Sequence, residues 1–164
     1  MISKTLLAAA LTAASFATQA ATVVYNFQSS AFDSGSLAGQ SFSGQFSFDD
    51  AALTASTSTL PLLSLSFSLG GQSYTLAQAT AGTTGAVFNA GALSGVNAVF
   101  SGGSRSVELT WGFGSPYAFY QQSTSNFGFA DLSFSTAAVP EPQTYALMLG
   151  GLAAVGFIAR RRKA

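Results

Sequence analysis

Three segments of this chain alternate too strictly to coil into helices. In SFSGQFSF, Phe42, Gly44, Phe46 and Phe48 hold the even positions, and Ser41, Ser43, Gln45 and Ser47 the odd ones. In LSLSFSL, Leu63, Leu65, Phe67 and Leu69 face one way and Ser64, Ser66 and Ser68 the other. SVELTWGF sets Val107, Leu109, Trp111 and Phe113 against Ser106, Glu108, Thr110 and Gly112. Successive side chains of a strand point to opposite faces, so each segment describes a ribbon with one buried apolar face and one wet, hydroxyl-rich face. Trp111 falls in the buried series. The Ser and Thr residues read as the solvent face of strands before they read as sites of O-glycosylation.

Two Gly-Gly pairs predict hairpins, because glycine takes the positive φ that a two-residue turn demands. A loop at Gly70-Gly71 sets Leu69 opposite Gln72, Phe67 opposite Tyr74 and Leu65 opposite Leu76. A loop at Gly102-Gly103 sets Ala98 against Val107 and Val96 against Leu109. Both registers keep apolar side chains on one side. Further strands are expected at 23–28, 73–78, 86–89, 117–121 and 126–135. In the last, Phe127 and Phe129 are odd and Leu132 and Phe134 even, which predicts a slip or β-bulge near Ala130-Asp131. Loops are expected at 51–61 and 79–86. Eight or nine short strands without an amphipathic helix predict an all-β fold, an antiparallel β-sandwich or jelly-roll-like body with an aromatic filling.

Both ends of the chain differ from this body. Residues 1–20 place Lys4 ahead of an apolar run from Leu6 to Ala17 and the small-residue tripeptide Thr18-Gln19-Ala20. That is the layout of a secretory signal peptide, to be removed by signal peptidase near Ala20. The body then spans 21–138. At the far end Tyr145 to Ala159 carries no charge, and as a helix it reaches roughly 22 Å, marginal for a permanent span. Arg160, Arg161, Arg162 and Lys163 follow at once, and the positive-inside rule keeps them in the cytoplasm as a basic anchor. Pro140 and Pro142 fix φ and bias the backbone toward an extended strip that a processing enzyme can grip.

Pro140-Glu141-Pro142, a glycine-punctuated apolar segment with Leu149, Gly150, Gly151, Leu152, Gly156 and Phe157, and the basic terminus stand in that order over residues 139–164. Together they resemble the PEP-CTERM sorting signal of Gram-negative bacteria, which is recognised by transpeptidase-like membrane enzymes called exosortases. The resemblance implies a transient C-terminal transmembrane helix, cutting of the tail near Pro140-Glu141-Pro142, delivery to the cell surface or extracellular matrix, and association with exopolysaccharide and biofilm. It implies no particular activity for the body.

Composition narrows what the body can do. Its one cation, Arg105, stands against Asp33, Asp49, Asp50, Glu108 and Asp131, a net charge of about −4. No row of cations is present to neutralise phosphates, which argues against nucleic acid as a partner. The chain has no cysteine, so packing and backbone pairing must carry stability outside the cytoplasm. It has no histidine either, which removes imidazole as base or metal ligand. Asp49 and Asp50 offer oxygens to a cation, but a solvated turn explains them better than a Ca²⁺ site, and no metal or other cofactor is expected. Arg105 and Glu108 read as a surface pair. Asp33 and Asp131 lack the paired placement that glycoside hydrolysis requires, so a hydrolase is the least favoured reading. Tyr117 and Tyr120, with Gln121 and Gln122 beside them, either line the next core strand or offer ring faces and amides to a sugar. The sequence thus points to a non-enzymatic exported protein with a structural or adhesive role. The alternative is a carbohydrate-binding module.

Overall fold

The computed structural model describes residues 22–137 and 150–152. The signal peptide expected over residues 1–20, the Pro-Glu-Pro strip and most of the apolar tail lie outside the described residues, and Gly150 to Leu152 are helical. Among the described residues no helix is long and apolar enough to cross a membrane.

Period-two segments become strands throughout. In chain order these are β1 (Thr22–Ser29), β2 (Ser43–Asp49), β3 (Thr59–Leu60), β4 (Leu62–Leu69), β5 (Gln72–Thr75), β6 (Gly85–Asn89), β7 (Ala92–Gly102), β8 (Arg105–Gly112), β9 (Ser115–Ser123) and β10 (Asn126–Thr136). The all-β expectation holds, but the two-sheet sandwich does not. All ten strands form one antiparallel sheet, ordered β3-β6-β7-β8-β9-β10-β1-β2-β4-β5. Two long strands explain why it never splits. The first half of β10, Asn126 to Asp131, pairs with β9, and its second half, Leu132 to Thr136, pairs with β1. β7 is divided in the same way between β6 and β8. Staggered pairing of this kind tilts and curls a sheet as it does in a barrel, and here it yields a half-barrel closed over one core.

Aromatic rings fill the curl. Phe67 on β4 meets Phe100 on β7 edge to face at 5.3 Å, and Phe48 on β2 meets Phe88 on β6 at 5.2 Å, although neither strand pair is hydrogen-bonded. Phe27, Phe46, Phe48, Val96, Val107, Leu109 and Tyr120 are the largest fully buried side chains. Each such burial contributes about 1.5–3 kcal/mol against the cost of ordering the chain. Buried hydroxyls are paired: Ser47 lies 2.7 Å from the Ser64 hydroxyl, and Ser29 Oγ accepts the Phe42 N–H at 2.8 Å.

Hairpin registers came out partly as expected. Gly70 and Gly71 carry φ of 58° and 76°, and Leu69 opposes Gln72 and Phe67 opposes Tyr74. Leu65 does not oppose Leu76, because the chain leaves β5 at Thr75 for a 3-10 turn over Leu76–Gln78. The second loop is Gly103-Ser104 rather than Gly102-Gly103, so Ala98 opposes Leu109 and Phe100 opposes Val107. That shift of two residues preserves the faces, which is why parity alone could not detect it. Leu63, expected inside, is 56% exposed. A register shift beside Ser47 and Phe48 sets Phe48 opposite Leu62, which leaves Leu63 as the extra residue of a bulge.

Other inward assignments also change. Trp111 is 40% exposed rather than core. Ladder pairing between β7 and β8 ends at Ala98 and Leu109; beyond it the Trp111 backbone N–H donates to Asn97 Oδ1 at 3.2 Å, and the side chain lies against Gly95, where an added Cβ would sit 2.9 Å from Trp111 Cβ. β10 has no slip at Ala130-Asp131. Gly128, Ala130 and Leu132 form one inward series, the irregularity sits at Asn126/Phe127, and Phe127 and Phe129 simply face outward.

Candidate binding face

Outward positions of β8, β9 and β10 form a grid set by ladder register. Phe119 lies between Glu108 and Phe129, Tyr117 between Thr110 and Asp131, and Gln121 between Ser106 and Phe127. Its aromatic members touch in sequence. Phe127 lies 6.3 Å from Phe119, Phe119 4.8 Å from Phe129, Phe129 5.9 Å from Tyr117, and Tyr117 6.0 Å from Phe113. Phe127 and Phe129 are 39% and 41% exposed and Phe113 is 97% exposed. The result is a five-ring apolar face on the outside of the half-barrel, rimmed by Glu108, Thr110, Gln121 and Asp131.

The two tyrosines singled out in the sequence are not brought together. Tyr117 joins the face. Tyr120, three residues on, points to the other side of β9 and has no exposed surface. Its hydroxyl donates to the Ser34 carbonyl at 2.9 Å and accepts the Leu37 N–H at 3.0 Å, and its ring meets Phe32 edge to face at 5.0 Å. Tyr120 therefore pins the loop over 30–42 and cannot stack on a ligand. Arg105 and Glu108 are separated for the same reason, since three steps along a strand reverse the face. Arg105 is half-buried with its guanidinium carbon 5.9 Å from the centre of the Tyr120 ring, while Glu108 lies on the outer grid. Sequence reasoning missed Phe119, Phe127 and Phe129 as surface residues. The odd positions of β10, set against Gly128 and Ala130, were the available signal.

A second surface is polar and uncharged. Ser135, Asn26, Gln45, Ser66 and Thr75 run in register across β10, β1, β2, β4 and β5, all exposed. Gln28, Ser43, Ser73 and Ser133 form a parallel row two residues away. They line a trough of about 960 Å³ that holds hydroxyls and amides and no charged side chain.

Two of the carboxylates are engaged in local structure. Asp49 Oδ1 accepts the Ala51 N–H at 2.9 Å and so caps the 3-10 turn over Asp50–Ala52. Among the described residues no three Asp, Glu, His or Cys side chains approach as a metal site would require. Asp33 Oδ1 accepts the Phe129 N–H at 2.8 Å and the Ser34 hydroxyl at 2.7 Å. The Phe129 N–H, and secondly the Ser34 hydroxyl, hold its carboxyl below the usual carboxylate range. A general acid needs the opposite shift. Because the folded-state value is lowered, the stabilisation from Asp33 is complete above the unfolded value of about 4 and is lost as pH falls through the folded value. Asp33→Asn should accordingly be less stable at pH 7 and lose less stability between pH 4 and 2 than the parent, as read from urea midpoints across that range. Parallel decline of the two proteins would contradict the assignment.

Fold and tail together define an all-β body carried on a C-terminal sorting segment. Residues 138–163 match the family model of the PEP-CTERM protein-sorting motif. The tail is thus a signal for export through the membrane, processing by an exosortase and placement at the surface or outside the cell. No curated protein and no solved structure matches the chain.

Proposed function

We propose that the mature body is a non-enzymatic adhesive or structural protein of the cell surface or matrix, and that it holds exopolysaccharide through the outer face of β8–β10. The observation that carries this reading is the contiguous, unpartnered patch of Phe113, Tyr117, Phe119, Phe127 and Phe129 on a chain bearing an export and sorting signal. Soluble proteins keep large apolar patches for contacts. Ring faces stack on the C–H faces of pyranoses, and Thr110, Gln121, Glu108 and Asp131 stand where sugar hydroxyls would need partners. With two carboxylates on the rim and no cation, neutral or amino sugars suit this face better than uronic acids.

The carbohydrate-binding-module reading is favoured by a separate observation, the charge-free trough over β10, β1, β2, β4 and β5. The experiment is retention of the processed protein, recovered from producing cells, on exopolysaccharide from the same cells. Tyr117→Ala with Phe129→Ala should weaken retention about tenfold, from two ring contacts of roughly 0.5–1.5 kcal/mol each. Unchanged retention by a folded double variant would remove the outer face from the reading. Loss on Gln45→Ala with Asn26→Ala instead would move binding to the trough. Release of reducing sugar by the parent would make the body a hydrolase.

A further inference from the structure

We propose that the end of the half-barrel from which the sorting tail departs is a membrane-contact surface, led by Phe113 and Trp111, which rests on a zwitterionic lipid interface while the tail is inserted. This rests on the reading of the tail as a temporary anchor.

Topology places the surface. β10 ends at Thr136, opposite Tyr25 near the start of β1. β9 runs antiparallel to β10 with Asp131 opposite Tyr117, so the β8–β9 hairpin tip projects from the same end as Thr136. The β6–β7 hairpin and the end of β2 converge there too, because Val23, Phe48, Gly91, Leu93 and Phe134 line one cavity. Only residues 137–144 separate Thr136 from the apolar run that begins at Tyr145. Fully extended, that connection spans at most roughly 30 Å, so insertion of the tail holds this end close to the lipid headgroups.

Three features suit this end to an interface. First, the hairpin tip is Phe113-Gly114, with φ of 52° and 88°. A left-handed conformation costs an L-residue such as phenylalanine about 1–2 kcal/mol, and its ring is 97% exposed. Its one ring contact among the described residues, with Tyr117 at 6.0 Å, leaves it solvated at a position that suits asparagine or glycine, and the Ala90-Gly91 tip at the same end has the same left-handed geometry, with φ of 51° and 79°. Second, Trp111 stands two residues away and is half-exposed, the side chain most enriched at membrane–water boundaries. Third, the shared cavity of about 460 Å³ brings Leu53 and Phe88 beside Phe48 and Phe134, with Tyr25 and Asp50 as its polar members. Charge selects the lipid. Asp49 and Asp50 lie at this end and Arg105 at the opposite one, so a zwitterionic surface is accommodated and an anionic one repelled.

Trp111 is the only tryptophan, which makes the test direct. Full-length protein is reconstituted into phosphatidylcholine vesicles with or without bromines on the acyl chains, and co-flotation reports tail insertion. At an interfacial depth of ~5–10 Å, Trp111 should lose about half its emission to the bromines. A chain carrying Trp111→Phe and Phe113→Trp should be quenched at least as strongly. Phe113→Ser, at a solvated position, should keep the fold and relieve quenching of Trp111, and so should substitution of phosphatidylglycerol for half of the lipid. Co-flotation with an unquenched probe that iodide still reaches would overturn the contact and leave the anchor intact. Failure to co-float would overturn both. Slower exosortase processing of Phe113→Ser with no lipid quenching of the parent would assign the surface to the enzyme and overturn the lipid contact.

Discussion

Alanine at Pro140, Glu141 and Pro142 together should leave the protein in the membrane fraction at its unprocessed mass, with release from the cell abolished. A proline in a helix interior costs about 3 kcal/mol relative to alanine, so the native strip resists being drawn into a helix running back from the apolar tail. With three alanines that resistance disappears, and the scissile backbone can close its hydrogen bonds internally instead of presenting them to the sorting enzyme. The body should be unaffected, since its last strand ends at Thr136. Intact-mass measurement on membrane and culture fractions checks both points. Normal processing of the triple variant would show that the match over 138–163 does not act as a sorting signal here.

Tyr120 should be the most sensitive single position in the body. Tyr120→Phe keeps the ring but removes the hydroxyl that accepts the Leu37 N–H and donates to the Ser34 carbonyl. Leaving the buried N–H unpartnered costs about 1–3 kcal/mol. Tyr120→Ala also removes a fully buried ring packed on Phe32, and large-to-small aromatic substitutions in cores cost about 3–5 kcal/mol. Against a typical domain stability of about 5–15 kcal/mol, the alanine variant should be partly unfolded at 37 °C. Urea midpoints give the order parent, phenylalanine, alanine. Limited proteolysis should cut the loop over 30–42 first in the phenylalanine variant, because Ser34 and Leu37 are the positions released. A phenylalanine variant as stable as the parent would show that water replaces the hydroxyl at little cost.

Period two made the strands legible, and it also set the limit on what could be read. Gly70-Gly71 announced its register because both turn residues had to be permissive. The second glycine pair misled by two residues, since Gly103-Ser104 preserves the same faces. The odd parity of Phe127 and Phe129 against even Leu132 and Phe134 suggests a slip only if all four share a face; in the fold Gly128 and Ala130, the smaller partners in the alternation, face the core. Gly128 has room for no more, since an added Cβ would sit 2.6 Å from the Ser34 carbonyl and 2.9 Å from the Tyr120 ring. The trough was written in the sequence as serines, asparagine and glutamines, but its continuity across β10, β1, β2, β4 and β5 depends on strand order.

Local chemistry alone determined the sorting-motif match over residues 138–163 and the all-β class of the body. Two prolines, an apolar run and a basic terminus are recognised from their own residues, and alternation needs only neighbours in the chain. Tertiary structure alone decided that the strands form one curled sheet, that Trp111 stays partly exposed, and that Tyr120 is a pin and not a platform. Those outcomes depend on which distant strands pair and how far they are staggered. Pairing energies of that kind are shared between segments far apart in sequence, and no single segment carries them.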